Sequence, residues 1–266
     1  MPLWPHRLRK NSIVIVDETW YHQAELSLLL CLCEKAEREH MTIDFEENYL
    51  HELKNRYEGQ FQELDRLFKS LAATTEYGRG GVLLHRGFYC PSPVQDILIG
   101  NVKRGSVSKR MPANYAHIFY QDASGSLIMV DTYHEFGLSE REFLIYEGKT
   151  VIAPAFSVHT SAQETPLACV SVCQYSETGQ IVSYRLLRPG IHEISAETFS
   201  YAPVSGLLDR STFSQLRYGI VTSDCYQYLH NEKGVATAFQ RIIATPDGDE
   251  IVTNRYLIPK SKQRKL

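Results

Sequence analysis

The chain lacks the common catalytic signatures: there is no G-x-S-x-G elbow, no Walker loop, no G-x-G-x-x-G after a strand and no H-E-x-x-H. That removes the sequence marks of an α/β-hydrolase, a P-loop NTPase, a dinucleotide enzyme and a zinc protease. Cysteine is sparse, six in 266 residues, and no C-x-x-C pair occurs, so neither a disulfide framework nor a zinc ribbon is expected. Cys31 and Cys33 sit two positions apart on an expected helix and face different ways. Cys169 and Cys173 share one face of an expected strand but stand about 13 Å apart along it, too far to ligate one zinc ion together. No metal site and no cofactor is therefore expected. Apolar runs are short: Ile13 to Val16 is too brief for a signal-peptide core, and Leu26 to Cys33 falls far below the roughly 18 residues that a membrane span requires. The cytoplasm is the expected compartment, without a membrane partner.

What the chain does have is an ordinary globular balance, 43% apolar and 22% charged, with its acid unevenly placed. Asp17 to Glu76 holds 14 acidic against 6 basic residues, whereas the rest of the chain is slightly basic. Ile13 to Val16 reads as a short strand, followed by a helix from Asp17 to about His40. A second helix is expected from Asp44, with Glu47 at capping-box spacing, to about Ala73. Phe45, Tyr49, Leu53, Tyr57, Phe61, Leu64, Phe68 and Leu71 recur on it at intervals of three or four, which makes one apolar stripe. Gly59 falls inside this helix.

From Tyr77 onward the text turns β-like. Val82 to Leu84, Ile97 to Ile99, Ala116 to Tyr120 and Leu127 to Val130 read as short strands. Turn dipeptides such as Ser124-Gly125, Thr178-Gly179, Lys233-Gly234 and Asp247-Gly248 stand between aromatic or β-branched residues, as hairpins require. Gly125, Gly179 and Gly234 are spaced by 54 and 55 residues, which suggests a repeated unit of a hairpin and a short helix, the helices being Ser139 to Phe143 and Ser195 to Phe199. The fold class is therefore α+β: an N-terminal helical pair followed by a mainly antiparallel β region built of hairpins. The division expected is 1–76 helical and 77–266 hairpin-rich, or a single continuous domain.

The tyrosine-rich hairpin text, typified by Phe119-Tyr120-Gln121-Asp122-Ala123-Ser124-Gly125, resembles the cytoplasmic immunity proteins encoded beside bacterial polymorphic toxins. That resemblance covers residues 77 to 258 and implies a hairpin-rich body that binds a toxic protein.

Three readings of function follow from the residues. The first is a non-enzymatic binding protein that neutralises a toxic protein partner, an immunity-type role. Glu46, Glu47, Glu52, Glu58, Glu63 and Asp65 lie opposite the apolar stripe, and a rigid carboxylate face suits a basic toxin domain such as a nuclease cleft. Sixteen tyrosines and two tryptophans offer rigid contact area. The second is a metal-assisted hydrolase or nuclease at the His-Glu steps, with Asp131, His134 and Glu135 as the acid–base set; His192-Glu193 repeats the step. His85, His117, His159, His230, Cys169 and Cys225 are further groups such a site would draw on. The third is a structural or assembly protein whose hairpins pair edge to edge, and the oligomeric state is left open. Gly78 to Gly81 lacks the lysine and the helix of a phosphate cradle and reads as a turn. Lys103, Arg104, Lys109 and Arg110 form a basic loop without interleaved aromatics, a poor nucleic-acid footprint on a chain of net charge −3.

Overall fold

Strand-forming text with glycine turns at regular intervals has one economical solution, a meander in which each strand pairs with the next. The structure, a computed structural model, describes residues 46–81, 85–98, 105–111, 116–158, 165–244 and 250–257. The expectations for Ile13 to Val16, for the helix from Asp17 to about His40, and for Val82 to Leu84, His159, Asp247-Gly248 and the last residues lie outside that set. The chain divides into two compact units, Met1–Asp44 and Phe45–Leu266. The second is described below and contains both helices and the sheet.

The architecture is α+β. Two helices, α1 (Glu47–Tyr57) and α2 (Phe61–Leu71), come first. β1 (Thr74–Arg79) follows, then a short helix α3 (Pro93–Leu98) and β2 (Ser106–Ser108). From β3 (Ala116–Gln121) the chain is nearly all strand: β4 (Leu127–His134), β5 (Gly137–Phe143), β6 (Ile145–Glu147), β7 (Thr150–Ser157), β8 (Leu167–Tyr175), β9 (Ile181–Arg188), β10 (Glu193–Tyr201), β11 (Leu208–Arg217), β12 (Ile220–His230), β13 (Ala236–Ala244) and β14 (Glu250–Leu257). All pair antiparallel in one sheet, ordered β14 to β7, then β5, β4, β3, β1 and β2, with β6 on β7.

Asp122, Ser176 and Asn231 open three turns of one design. In each, the first residue's side chain accepts from the backbone N–H groups two and four positions on, at 2.8 to 3.2 Å. The glycine in the fourth position takes a positive φ, 85°, 77° and 70°, which an L-residue adopts at a cost. The spaced glycines thus mark equivalent turns along one end of the sheet. Two expected helices are strands instead: Ser139 to Phe143 lies in β5 and Ser195 to Phe199 in β10. Glu and Ala are good helix formers, but the differences between residues are under about 1 kcal/mol each, and cross-strand packing on both sides overrides that preference. Ile97, expected in a strand, belongs to α3, which Ser92 caps by accepting from the Gln95 N–H at 3.2 Å.

The long helix expected through residue 73 is broken at Glu58 to Gln60, where Gly59 has φ 79°. The cause lies in the spacing. Residues four apart drift by about 40° per step at 3.6 residues per turn, so Phe61 would stand nearly opposite Phe45 on a straight helix. The break re-aims α2 so that Phe61 meets Phe156 (ring centroids 5.4 Å) and Phe68 meets Phe143 (5.2 Å). On α1, Leu50 and Leu53 are fully buried, each worth about 1.5–3 kcal/mol.

The sheet therefore has two differently covered faces. Phe143, Phe156 and Arg141 face α2, and on the same face Arg185 of β9 meets Glu46 at the start of α1. The other face carries Phe119, Val130, Glu142, Ala155 and Cys169 side by side across β3, β4, β5, β7 and β8. It is covered by the segment from His85 to Leu98, whose Phe88 and Tyr89 pack on the same apolar cluster.

Candidate functional site

The Asp131, His134 and Glu135 set is not assembled. Asp131 is fully buried on the helix side, where Arg141 donates to both its carboxylate oxygens at 2.6 Å and Tyr120 Oη donates at 3.1 Å. Arg141 also meets Asp65 of α2. Strand side chains alternate, so His134, three residues on, falls to the opposite face, where its field helps depress His117. Glu135 is exposed in the β4–β5 turn. Among the described residues, no group of three His, Cys, Asp or Glu side chains is arranged to hold a metal ion.

The six helix carboxylates divide. Glu47, Glu52, Glu58 and Glu63 are exposed, with Glu58 paired to Lys54 at 2.7 Å and Glu47 at 3.8 Å from His51. Glu46 instead pairs with Arg185 of β9 at 3.0 Å, and Asp65 is drawn to Arg141. These two fasten the helices to the sheet.

A polar network not anticipated from the sequence lies under residues 85–98. Arg86 Nε donates to Glu142 Oε1 at 2.8 Å and its Nη2 to Ser171 Oγ at 2.9 Å, with both charged side chains about 5% exposed. Glu142 Oε2 is buried without a hydrogen-bond partner. Arg188 of β9 reaches both His85 and Glu193, and Tyr184 Oη stands 3.4 Å from His85 Nδ1. Ser92 meets Glu197 of β10. Of the histidines named from the sequence, His85 and His117 are on this side. His117 bonds Thr132 at 3.3 Å and stacks on Phe119. Cys169 lies in the field of Glu140 and Glu142, whereas Cys225 and His230 belong to β12.

Burial sets the protonation of this network. It pushes Glu140 well above the usual carboxylate range, reinforced by neighbouring Glu142, and it raises Glu142 despite Arg86. It also holds the Cys169 and Cys173 thiols protonated, so neither is a nucleophile. His85 is held well below the ordinary histidine range by burial, then by Arg188 and Arg86, and His117 falls to about 4 through burial and His134.

These shifts predict the pH profile of stability. The two carboxyls stabilise the fold below their unfolded value near 4.5, an effect lost as pH rises through their raised folded values. The two histidines stabilise it above their unfolded value near 6.5, an effect lost as pH falls through their depressed ones. From about 4.5 upward to about 6.5 the slopes therefore oppose each other. Urea midpoints measured from pH 4 to 9 are expected to change little within that window. A midpoint that climbs steadily from pH 4.5 to 6.5 would show the histidine slope unopposed, with the glutamates ionising in the native protein as they do in the unfolded chain.

No protein-family model matches the chain, and no curated protein matches it. Among solved structures it is similar to a crystal structure of a protein of unknown function from Bacteroides fragilis. The identity is 12%, over 54% of this chain and 91% of that one, with a TM-score of 0.24.

Proposed function

We propose that the chain is a non-enzymatic binding protein that neutralises a toxic, basic protein partner through the exposed face of α1 and α2. The observation that carries this reading is the contrast between two sets of carboxylates. Glu47, Glu52, Glu58 and Glu63 stand exposed on adjoining helices, while Asp131 has both oxygens engaged by Arg141 and Glu142 is buried against Arg86. Exposed carboxylates on rigid helices attract a cationic surface and orient its approach. Among the described residues the β2 edge of the sheet is blunted, which counts against edge-to-edge assembly there: β2 is only three residues long and is followed by Lys109 and Arg110. Among the described residues no helix is long and apolar enough to cross a membrane.

The test is to immobilise the chain, isolate the protein it retains from its native host, and confirm that co-expression relieves that protein's toxicity. Reversing Glu47, Glu52, Glu58 and Glu63 to Lys is expected to slow association about ten-fold or more at low salt, with the difference shrinking as salt screens it. Thermal unfolding should remain cooperative and close to that of the parent. Association rates unchanged by the reversal would overturn the acidic-face reading. Turnover of nucleic acid or peptide by the purified chain would favour a hydrolase instead.

A further inference from the structure

Beneath residues 85–98 the charges do not pair off. Glu140 and Glu142 stand two apart on β5 and project to the same side, and both are 4% exposed. The guanidiniums of that side are already committed: Arg86 to Glu142 Oε1 and Ser171, and Arg188 to Glu193 and His85. Glu142 Oε2 is left without a hydrogen-bond partner, and Glu140 without a cation of its own among the described residues. The strand neighbours of Glu140, Thr132 of β4 and Ser157 of β7, are neutral. Of the charges whose fields reach it, Glu142 opposes its ionisation and Arg188 favours it, and burial outweighs Arg188. The Cys169 thiol facing it is itself kept protonated. A protonated Glu140 removes the unpaired charge, and it places a hydrogen-bond donor two residues from the orphaned Oε2. The segment above is seated by polar contacts at His85, Arg86 and Ser92. Its backbone passes through two successive left-handed residues, Arg86 at φ 57° and Gly87 at φ 48°, and a non-glycine residue keeps that conformation only while its surroundings hold it.

We propose that Glu140 is a proton-binding site that latches the covering segment: residues 85–98 stay seated while Glu140 carries its proton, and they lift when the proton passes to water and the carboxylate is solvated. A charge has no partner in the closed arrangement, so it is tolerated only once water reaches it. The sign follows from linkage. A solvated Glu140 loses its proton near 4.5, whereas the covered one holds it to a higher pH. Opening therefore releases one proton, and its equilibrium constant grows by up to about ten-fold per pH unit between the two values. His85 and His117, on the same side, act in the opposite sense below about 6.5, and a comparison that changes Glu140 alone cancels their contribution.

The deciding experiment is amide hydrogen exchange in the full chain and in Glu140→Gln, the neutral isostere of the protonated acid. The Tyr89 and Cys90 amides, which donate to the carbonyls of Arg86 and Gly87, report whether the segment is seated. From pH 5 to 8 the ratio of their exchange in the parent to that in the variant is expected to rise at least about ten-fold, with both amides exchanging faster than those of the fully buried Val170 and Val172 on β8. A ratio that stays flat would overturn the latch. Exchange at Tyr89 and Cys90 no faster than at Val170 and Val172 would overturn it too, because the segment would then leave only when the sheet unfolds. Should Glu140→Gln fail to fold, the carbon-13 resonance of the Glu140 carboxyl in the parent decides: it is expected to titrate well above 4.5, in step with exchange at Tyr89 and Cys90. Titration near 4.5 would overturn the proposal.

Discussion

Arg141→Met is expected to destabilise the protein by about 3–5 kcal/mol, measured as a lower urea midpoint at neutral pH. Asp131 is fully buried, and Arg141 supplies two of its hydrogen bonds, at 2.6 Å each. Removing the guanidinium leaves a carboxylate inside the protein with Tyr120 Oη as its remaining described donor. The pair itself adds little net stability, because bringing both charges out of water costs about what their attraction returns. The double variant Arg141→Met/Asp131→Leu is therefore expected to recover most of the loss. A single-variant loss below about 1 kcal/mol would mean that Asp131 is not held as a charge. The result also bears on the acid–base alternative: loss of any activity on mutating Asp131 must first be separated from loss of the fold.

How much of this was legible in the sequence depended on how local the cause was. The turns at Gly125, Gly179 and Gly234 are fixed by residues within five positions, an Asp, Ser or Asn that caps the turn and a glycine that takes positive φ. They and the α+β class could be read directly. The helical content of 47–71 was legible from the apolar spacing; its break was not, because nothing local says which aromatic each turn must meet. Ser139 to Phe143 and Ser195 to Phe199 read as helix from composition and are strands because of neighbours on both sides. The network under residues 85–98 was invisible for the same reason. Arg86 meets Glu142 across 56 positions and Ser171 across 85, and Ser92 meets Glu197 across 105. Of the six helix carboxylates, the two that face inward, Glu46 and Asp65, were chosen away from the solvent by arginines that are distant in the chain.

Gly87→Ala should be the most damaging of the glycine substitutions in the described helices and the covering segment. Gly87 has φ 48°, and a Cβ built there would stand 2.6 Å from Nε2 of His117 and closer still to its ring carbon. That ring cannot swing away cheaply: it is fully buried, bonded to Thr132 and stacked on Phe119. The substitution thus combines left-handed backbone strain of about 1–2 kcal/mol with overpacking of about 1–3 kcal/mol, so a loss of about 3 kcal/mol is expected. Gly59→Ala is the control. Gly59 has φ 79° but nothing within 4 Å of the added carbon, so its cost should be the backbone share alone, about 1 kcal/mol. The difference between the two urea midpoints isolates the contact with His117, and equal losses would show that the segment yields to make room. Residues 85–98 and the two long helices cover opposite faces of the sheet, so Gly87→Ala should weaken the fold without altering partner affinity at temperatures where it remains folded. A large drop in affinity there would place part of the binding surface on the covering segment instead of on α1 and α2.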